Sequence, residues 1–361
     1  MVLLLSCTLA ALLGFAAQRA SICNVRAVAE VIGSRTGYML ASIAKSVLWV
    51  VVVTVPFLWL MPGAAAALGG WRLSWISLLG GLLFGMGAAV NGACAFSTLA
   101  RLADGQLAML GTLAGFLLGV AGFELLAGAG LLFAPPAGTP LLGSVLAAGG
   151  ARAAVVLIVW GVYEASRLWR TRAAATRLHE LAIAGQYRLS TAAMLIGLAN
   201  GVLYLVDGAW GYTGTLQQSI EGWLQIRMWP GSAQWVLFVS LFAGMVLSTW
   251  QRRSLRIARA PLGAWLRTLS GGVLMGIGAA LAPGGNDALI LYGIPSLSPH
   301  AVPAYAAMVV GIAVALIALR RLFGIEMRIE CRGDVCLAEP AATGRDERRH
   351  WAGEPGGPCL R

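Results

Sequence analysis

The sequence of 361 residues is poor in charge. Only 11% of its residues are charged and 58% are hydrophobic, whereas soluble domains carry about 25% charged and about 45–50% apolar residues. This composition excludes a soluble globular protein, and the high hydrophobicity excludes a disordered chain. The net charge of +11 is therefore interpreted first as a membrane-topology signal, and no nucleic-acid partner is expected.

Motifs of several enzyme and metal-binding classes are absent as well. The sole lysine, Lys45, lies in a valine-rich run, so the chain has no Gly-x4-Gly-Lys-[Ser/Thr] phosphate-binding loop. It has no Cys-x-x-Cys pair, and the three histidines, His179, His300 and His350, stand far apart in the sequence. We therefore predict a protein that is not an enzyme and that holds no metal ion or cofactor.

Long apolar runs are what the sequence does contain. A transmembrane helix needs about 17–25 predominantly apolar residues, and the runs here are unbroken, unlike the alternating strands of a membrane β-barrel. The sequence thus predicts an all-α polytopic protein in a lipid bilayer, with about nine transmembrane helices. The nine stretches are Val2 to Ala17, Tyr38 to Leu60, Leu73 to Val90, Gln106 to Phe133, Pro140 to Ser166, Ser190 to Val206, Ala233 to Trp250, Thr268 to Ala282 and Ala301 to Leu322.

The basic residues are distributed unevenly between the loops. With the N-terminus outside, nine spans place 22 of the 26 basic residues on the cytoplasmic side, as the positive-inside rule requires. The largest groups are five arginines in 167–188, five in 252–267 and eight from position 320 onward. This distribution predicts a multi-pass protein of a bacterial-type inner (plasma) membrane, with a cytoplasmic C-terminus.

Two segments of the chain repeat each other. Residues 80–89 and 271–280 are identical at seven of ten positions, at an offset of 191. Four spans on either side of a linking span make the second half inverted relative to the first, as in many transporters. A duplicated bundle with small-residue packing faces would give a similar pattern. The predicted division is a first half at 1–134, a linker span and cytoplasmic loop at 135–189, a second half at 190–323 and a cytoplasmic, largely disordered tail at 324–361.

An apolar segment with helix-breaking residues follows each Gly-rich repeat. These segments are 91–98 and 283–291, and similar breaks follow the first span at 18–24 and the sixth span at 207–212. Irregular backbone at membrane depth is tolerated only where protein buries it or where it lines a polar cavity. We therefore predict re-entrant half-helices that meet near the middle of the membrane.

Polar residues collect in these broken segments. Half-helix N-termini favour anions, and thiols are soft, weak S–H donors, so the segments suit a polarisable, sulphur-containing anion. Calcium or magnesium would need several carboxylates, and only Asp287 is available. An isolated buried cysteine is more often a small apolar residue, and Asp287 is equally suited to capping its half-helix. The predicted substrate path consists of Cys23, Cys94, Asn91, Gly285, Asn286 and Asp287, with Gln18, Asn24 and Ser97 as secondary candidates.

Three segments together resemble the YeeE/YedE sulphur-transport membrane family: residues 18–23 (Gln-Arg-Ala-Ser-Ile-Cys), 85–94 (Gly-Met-Gly leading to Asn-Gly-Ala-Cys) and 282–287 (Ala-Pro-Gly-Gly-Asn-Asp). The resemblance covers residues 1 to 323. It implies a nine-span inverted-repeat fold and the uptake of thiosulfate or a related sulphur compound. It also implies that cysteine thiols, here Cys23 and Cys94, pass the anion along by S–H hydrogen bonds.

The same resemblance implies one further functional cysteine, in the second-half Gly-rich motif of the family's thiosulfate importers. Here the repeat offset puts Gly285 opposite Cys94, so that thiol is missing. Either Asn286 and backbone N–H groups replace it, or the chain moves a different sulphur or selenium species.

Two alternative functions stay open. An intramembrane thiol oxidoreductase would exchange disulfides, although such enzymes favour a Cys-x-x-Cys pair. A non-transporting membrane subunit could recruit a TusA-like sulphur-carrier protein through the tail, where residues 329–336 faintly resemble the start of such a carrier. The roles of Cys331, Cys336 and Cys359 are left open, although the first two are a candidate redox or metal-binding pair.

Overall fold

The computed structural model describes residues 1–61, 69–131, 133, 135–171, 185–257, 259–324, 327, 329–332 and 334–338. The protein is 76% helical with almost no sheet, which confirms the all-α class. Among the described residues, nine stretches are long and apolar enough to cross a membrane, the number that the sequence predicts. Arg172, Arg177 and the tail from 339 to 361, with Cys359, lie outside the described residues.

The helices follow the predicted order of spans and breaks. The first half contains α1 (Val2–Ala20), α2 (Asn24–Ser34), α3 (Tyr38–Leu60), α4 (Trp75–Asn91), α5 (Ala95–Ala103) and α6 (Met109–Gly128). The linking helix α7 (Leu142–Thr171) bends at Gly149. The second half contains α8 (Leu189–Asp207), α9 (Tyr212–Trp223), α10 (Ser232–Arg252), α11 (Leu262–Leu281), α12 (Asn286–Ala288), which continues as a π-helical turn (Leu289–Gly293), and α13 (Ala301–Phe323).

Two short antiparallel hairpins complete the described structure. Strand β1 (Gly70–Trp71) pairs with β2 (Ala137–Gly138), and β3 (Ile329–Arg332) pairs with β4 (Val335–Ala338).

Four of the described helices, α2, α5, α9 and the three-residue α12, are too short to cross a bilayer. Helices α2, α5 and α9 have 11, 9 and 12 residues, which is about 14–18 Å of helix against a hydrocarbon core of about 30 Å. Each follows a longer helix after a break of three or four residues, at 21–23, 92–94 and 208–211. They have the lengths and positions of the predicted half-helices, and α12 occupies the corresponding place after α11.

The ends of α4 show how the sequence sets these breaks. Ser74 caps the start of the helix by accepting a hydrogen bond from the backbone N–H of Ser77 at 3.2 Å. Gly92 ends the helix with a φ of 75°, a left-handed conformation that costs a residue without a Cβ little. The chain therefore turns at Gly92 and starts α5 three residues later.

The two Gly-rich helices pack in the same way, each against the other half. Gly85 of α4 lies against the backbone of Met308 in α13, and its repeat equivalent, Gly276 of α11, lies against the backbone of Phe116 in α6. A Cβ at either glycine would overlap that backbone, so the missing side chains set the close approach of the helices. Because each half packs onto the other, the centre of the protein is built from both.

The start of the tail is folded, which corrects the expectation of a largely disordered tail for residues 329–338. The β3–β4 hairpin is closed by the Cys331–Cys336 disulfide. It joins α2 to the start of α8: Ser34 Oγ donates to the Ile329 carbonyl at 2.8 Å, and the Leu189 N–H donates to the Asp334 carbonyl at 2.8 Å. These contacts with both halves order a segment whose composition alone indicates disorder.

Candidate functional site

The first residues of the four half-helices come together in the interior. Cys23, Cys94, Gly211 and Gly285 are the N-cap residues of α2, α5, α9 and α12. Direct hydrogen bonds join α2 to α5, α5 to α12 and α12 to α9. Because a helix N-terminus carries unpaired N–H groups and partial positive charge, this convergence favours negative charge.

The two thiols lie side by side at the ends of α2 and α5. Cys23 and Cys94 are both free, and only 0% and 2% of their surfaces are exposed. The backbone N–H of Cys94 points at the Cys23 sulphur, with an N···S distance of 3.5 Å. The pair therefore offers two soft S–H groups at one point between the helix ends.

Two asparagines stand next to the thiols with unused donors. Asn24 Oδ1 accepts from the Tyr305 hydroxyl at 2.8 Å, and Asn286 Oδ1 accepts from the Ala95 N–H at 3.3 Å. The Nδ2 group of each asparagine donates to no other residue within the described part of the chain. Since a side-chain amide has two N–H donors, both can serve a ligand without breaking a bond seen here.

These thiols and amides line a small cavity. Cys23, Cys94, Asn24 and Asn286 surround a space of about 40 Å³, and the rest of the lining is apolar apart from Ser46. A space of this size holds a few water molecules at most. The cavity is thus small in this conformation.

The predicted acid of the site is bound to a neighbouring helix. Asp287 Oδ2 accepts from the Thr213 N–H at 3.1 Å, and Asp287 Oδ1 accepts from the Thr213 hydroxyl. Asp287 is 1% exposed and is not part of the cavity lining. The carboxylate therefore caps the N-terminus of α9 rather than that of its own helix.

The position of the missing thiol is filled by other atoms. Gly285 stands 191 residues after Cys94, and both residues are N-caps. A Cβ on Gly285 would come within 2.8 Å of Thr213 Oγ1 and within 2.8 Å of Asp287 Oδ1. The Thr213–Asp287 pair thus occupies the space into which a cysteine side chain would project.

The other three candidates lie outside the cavity. Asn91 is fully buried, and its amide donates to Thr98 Oγ1 at 3.0 Å, so it braces the turn between α4 and α5. Gln18 donates to Asp104 Oδ1 at 2.9 Å and holds the end of α1 instead. Ser97 is buried in α5 without lining the cavity.

Sequence reasoning missed two arginines on the half-helices that begin at the thiols. Arg26 lies in α2 and Arg101 in α5, and Arg101 Nη1 lies 3.9 Å from the position of a Cβ on Gly92. Within the described residues, neither arginine forms an ion pair with a carboxylate. The signal was their spacing, since they follow Cys23 by three and Cys94 by seven residues, positions on the same helix face.

One cluster of potential metal ligands lies elsewhere in the described part of the chain. It consists of Glu30, Cys331 and Cys336. The two cysteines are joined in a disulfide, and the Glu30 carboxylate accepts hydrogen bonds from the N–H groups of Tyr38 and Met39 at 2.9 and 3.0 Å. Because the sulphurs are bonded to each other and the carboxylate already accepts hydrogen bonds, the cluster is better suited to stabilising the fold than to binding a metal ion.

Comparison with known protein families matches the chain, over residues 19–314, to a family described as sulphur transport. The match covers most of the chain and every candidate site residue except Gln18. No curated protein matches the chain.

Proposed function

The chain belongs to the sulphur transport family, and from that premise we propose that it takes up a small sulphur-containing anion, with thiosulfate as the first candidate. The coarser statement, membrane transport of a sulphur compound, follows from the family and the nine apolar spans. The family favours a transporter over an enzyme. In the proposed orientation, the chain crosses an inner (plasma) membrane with its N-terminus outside and its C-terminus in the cytoplasm.

The contact between Cys23 and Cys94 is the observation that carries the proposal. Thiosulfate has a soft terminal sulphur and three harder oxygens. The two S–H groups match the sulphur, and the free N–H groups of Asn24 and Asn286 match the oxygens. Cys23 and Cys94 thus provide successive donors along one path, and each bond to the anion is charge-assisted.

The charge around the cavity supports an anion over a cation. The N-termini of α2, α5 and α12 border the cavity and contribute positive charge, as do the two arginines Arg26 and Arg101. The carboxylate of Asp287, the one acid predicted for the substrate path, already accepts two hydrogen bonds from Thr213. A hard cation would need several oxygen ligands at the same point, and the cavity lining offers amides and thiols instead.

Uptake into proteoliposomes tests the proposal. We expect the full-length protein to take up labelled thiosulfate, and unlabelled thiosulfate to compete more strongly than sulfate, sulfite or selenite. The Cys94→Ala variant should lose uptake while remaining folded, and the Cys7→Ala variant should keep it because Cys7 is a free cysteine outside the cavity.

Two results would contradict the proposal. Full uptake by a Cys23→Ala/Cys94→Ala double variant would rule out the thiols as the path. Stronger competition by selenite than by thiosulfate would contradict thiosulfate as the substrate but would still agree with a path past Cys23 and Cys94. A different substrate would be consistent with the glycine at position 285.

A further inference from the structure

A larger cavity lies at the opposite end of α2 from the thiols. It has a volume of about 480 Å³ and runs between the C-terminal parts of α2 and α13. Its walls include Ile32 and Gly33 of α2 and Leu316, Ile317, Arg320 and Arg321 of α13. The groove is thus apolar along its length and basic at one end.

We propose that this groove binds an anionic phospholipid, with an acyl chain along the apolar wall and the phosphate at Arg320 and Arg321. Both arginines are in the last turn of a membrane-spanning helix, on the side of the membrane that the arginine distribution predicts to be cytoplasmic. Basic pockets between membrane helices on the cytoplasmic side attract the anionic headgroups of lipids. The neighbouring Leu322 and Phe323 are 75% and 70% exposed, as expected for residues that meet lipid.

The shape and lining of the groove favour a lipid over a free anion. Free phosphate would be served by the two guanidinium groups alone and would leave the apolar wall uncovered. An acyl chain covers Ile32, Leu316 and Ile317 and removes their surface from water. The volume is also within the range of about 300–1,000 Å³ that is typical of small-ligand pockets.

The same two helices connect the groove to the candidate transport site. At the N-terminal end of α2, the Tyr305 hydroxyl of α13 donates to Asn24 Oδ1 at 2.8 Å. At the C-terminal end the helices leave the groove between them. A lipid in the groove would therefore hold α2 against α13 and steady the half-helix that carries Cys23. Uptake should therefore depend on anionic lipid. This consequence rests on the proposed function, whereas the binding of lipid in the groove does not.

Lipid binding is tested on the delipidated full-length protein without any substrate. We expect phosphatidylglycerol to bind in native mass spectrometry and to raise the thermal denaturation midpoint, and phosphatidylcholine to do neither. Arg320→Gln/Arg321→Gln should weaken phosphatidylglycerol binding at least about tenfold, because two charges near the headgroup are lost. Arg256→Gln/Arg259→Gln removes the same charge from a loop outside the groove and should leave binding unchanged.

A second variant fills the groove without touching its charges. A Cβ on Gly33 would meet no atom within 4 Å, so Gly33→Phe should fold and should block the acyl chain. Gly263→Phe is the matched control, because Gly263 has equally open surroundings at the start of α11. Gly33→Phe should lose phosphatidylglycerol binding, and Gly263→Phe should retain it.

Three outcomes would overturn the proposal: unchanged phosphatidylglycerol affinity in both groove variants, equal binding of phosphatidylcholine, or an equal shift produced by inorganic phosphate. Uptake is then compared between liposomes with and without phosphatidylglycerol. Absence of thiosulfate uptake in every lipid would count against the proposed function, whereas the binding measurements judge the groove independently.

Discussion

The side-chain oxygen of Asn286 accepts a hydrogen bond at 3.3 Å from the backbone N–H of Ala95, a residue 191 positions earlier in the chain. The same offset relates the two Gly-rich repeats, so the bond joins equivalent residues of the two halves. It lies where α5 and α12 each begin. The candidate site is therefore a product of both halves, and neither half could form it alone.

This bond leads to a prediction for Asn286. Asn286→Ala leaves the buried Ala95 N–H without its acceptor, which should lower the free energy of unfolding by about 1–3 kcal/mol. Asn286→Asp keeps the acceptor but places a negative charge beside the thiols, so it should lose uptake and retain more stability than Asn286→Ala. Thermal denaturation and proteoliposome uptake measure the two effects separately. Wild-type uptake by Asn286→Asp would show that no anion passes this residue.

Introducing a cysteine at position 285 without a second substitution should destabilise the protein. A side chain at position 285 overlaps Thr213 and Asp287, so Gly285→Cys should destabilise the protein by about 1–3 kcal/mol, as overpacking usually does. Gly285→Cys/Thr213→Ala removes two of the overlapping atoms and should recover part of this loss. Gly214→Cys, at an open position of α9, is the control and should stay near wild-type stability. Equal stability of Gly285→Cys and Gly214→Cys in chemical denaturation would contradict the close packing described between Gly285, Thr213 and Asp287.

Asp287 is expected to act on stability rather than on proton coupling. Its two oxygens face two donors of Thr213, so Asp287→Asn turns an N–H2 group toward one of them and should cost about 1–3 kcal/mol. Any pH dependence of uptake should remain, because the carboxylate does not line the cavity. Uptake by wild-type and Asp287→Asn proteoliposomes across a pH series checks this. Loss of the pH dependence in the variant would instead show that titration of Asp287 controls uptake.

The cysteines should differ in redox state. Peptide mapping of protein purified without reductant should find Cys331 linked to Cys336, and Cys23 and Cys94 should react with alkylating reagent only after unfolding, since they are free and buried. Reduction and alkylation before digestion is the control that releases the linked peptide. A Cys23–Cys94 disulfide that exchanges with a quinone would instead support the oxidoreductase alternative.

Deleting residues 324–361 separates a self-sufficient transporter from a subunit that recruits a sulphur carrier. The deletion removes the hairpin bonds to Ser34, Leu189 and Ser190, so the denaturation midpoint should fall. Uptake per folded molecule should persist, because no residue that lines the cavity at Cys23 and Cys94 lies in the deleted segment. Uptake that disappears from a folded deletion variant would favour a role of the tail in recruiting a TusA-like carrier.

The sequence by itself determined the features that depend on local pattern. Apolar length set the nine spans, and the helix breakers around Gly92 and Gly208 set where half-helices begin. The repeat at 80–89 and 271–280 indicated two related halves. Cys23 and Cys94 could be singled out because each precedes a half-helix, and a thiol at a helix N-terminus is a recognisable combination along the chain.

Only the tertiary structure decided which of these elements meet. Cys23 and Cys94 are 71 positions apart, and Asp287 pairs with Thr213 across 74 positions, so no local spacing could reveal either contact. The directions of the half-helices also decided that Asn286 faces the cavity, whereas Asn91 and Gln18 bond elsewhere. A hydropathy pattern indicates which segments lie in the membrane, but the packing of helices from both halves determines which buried polar groups face one another.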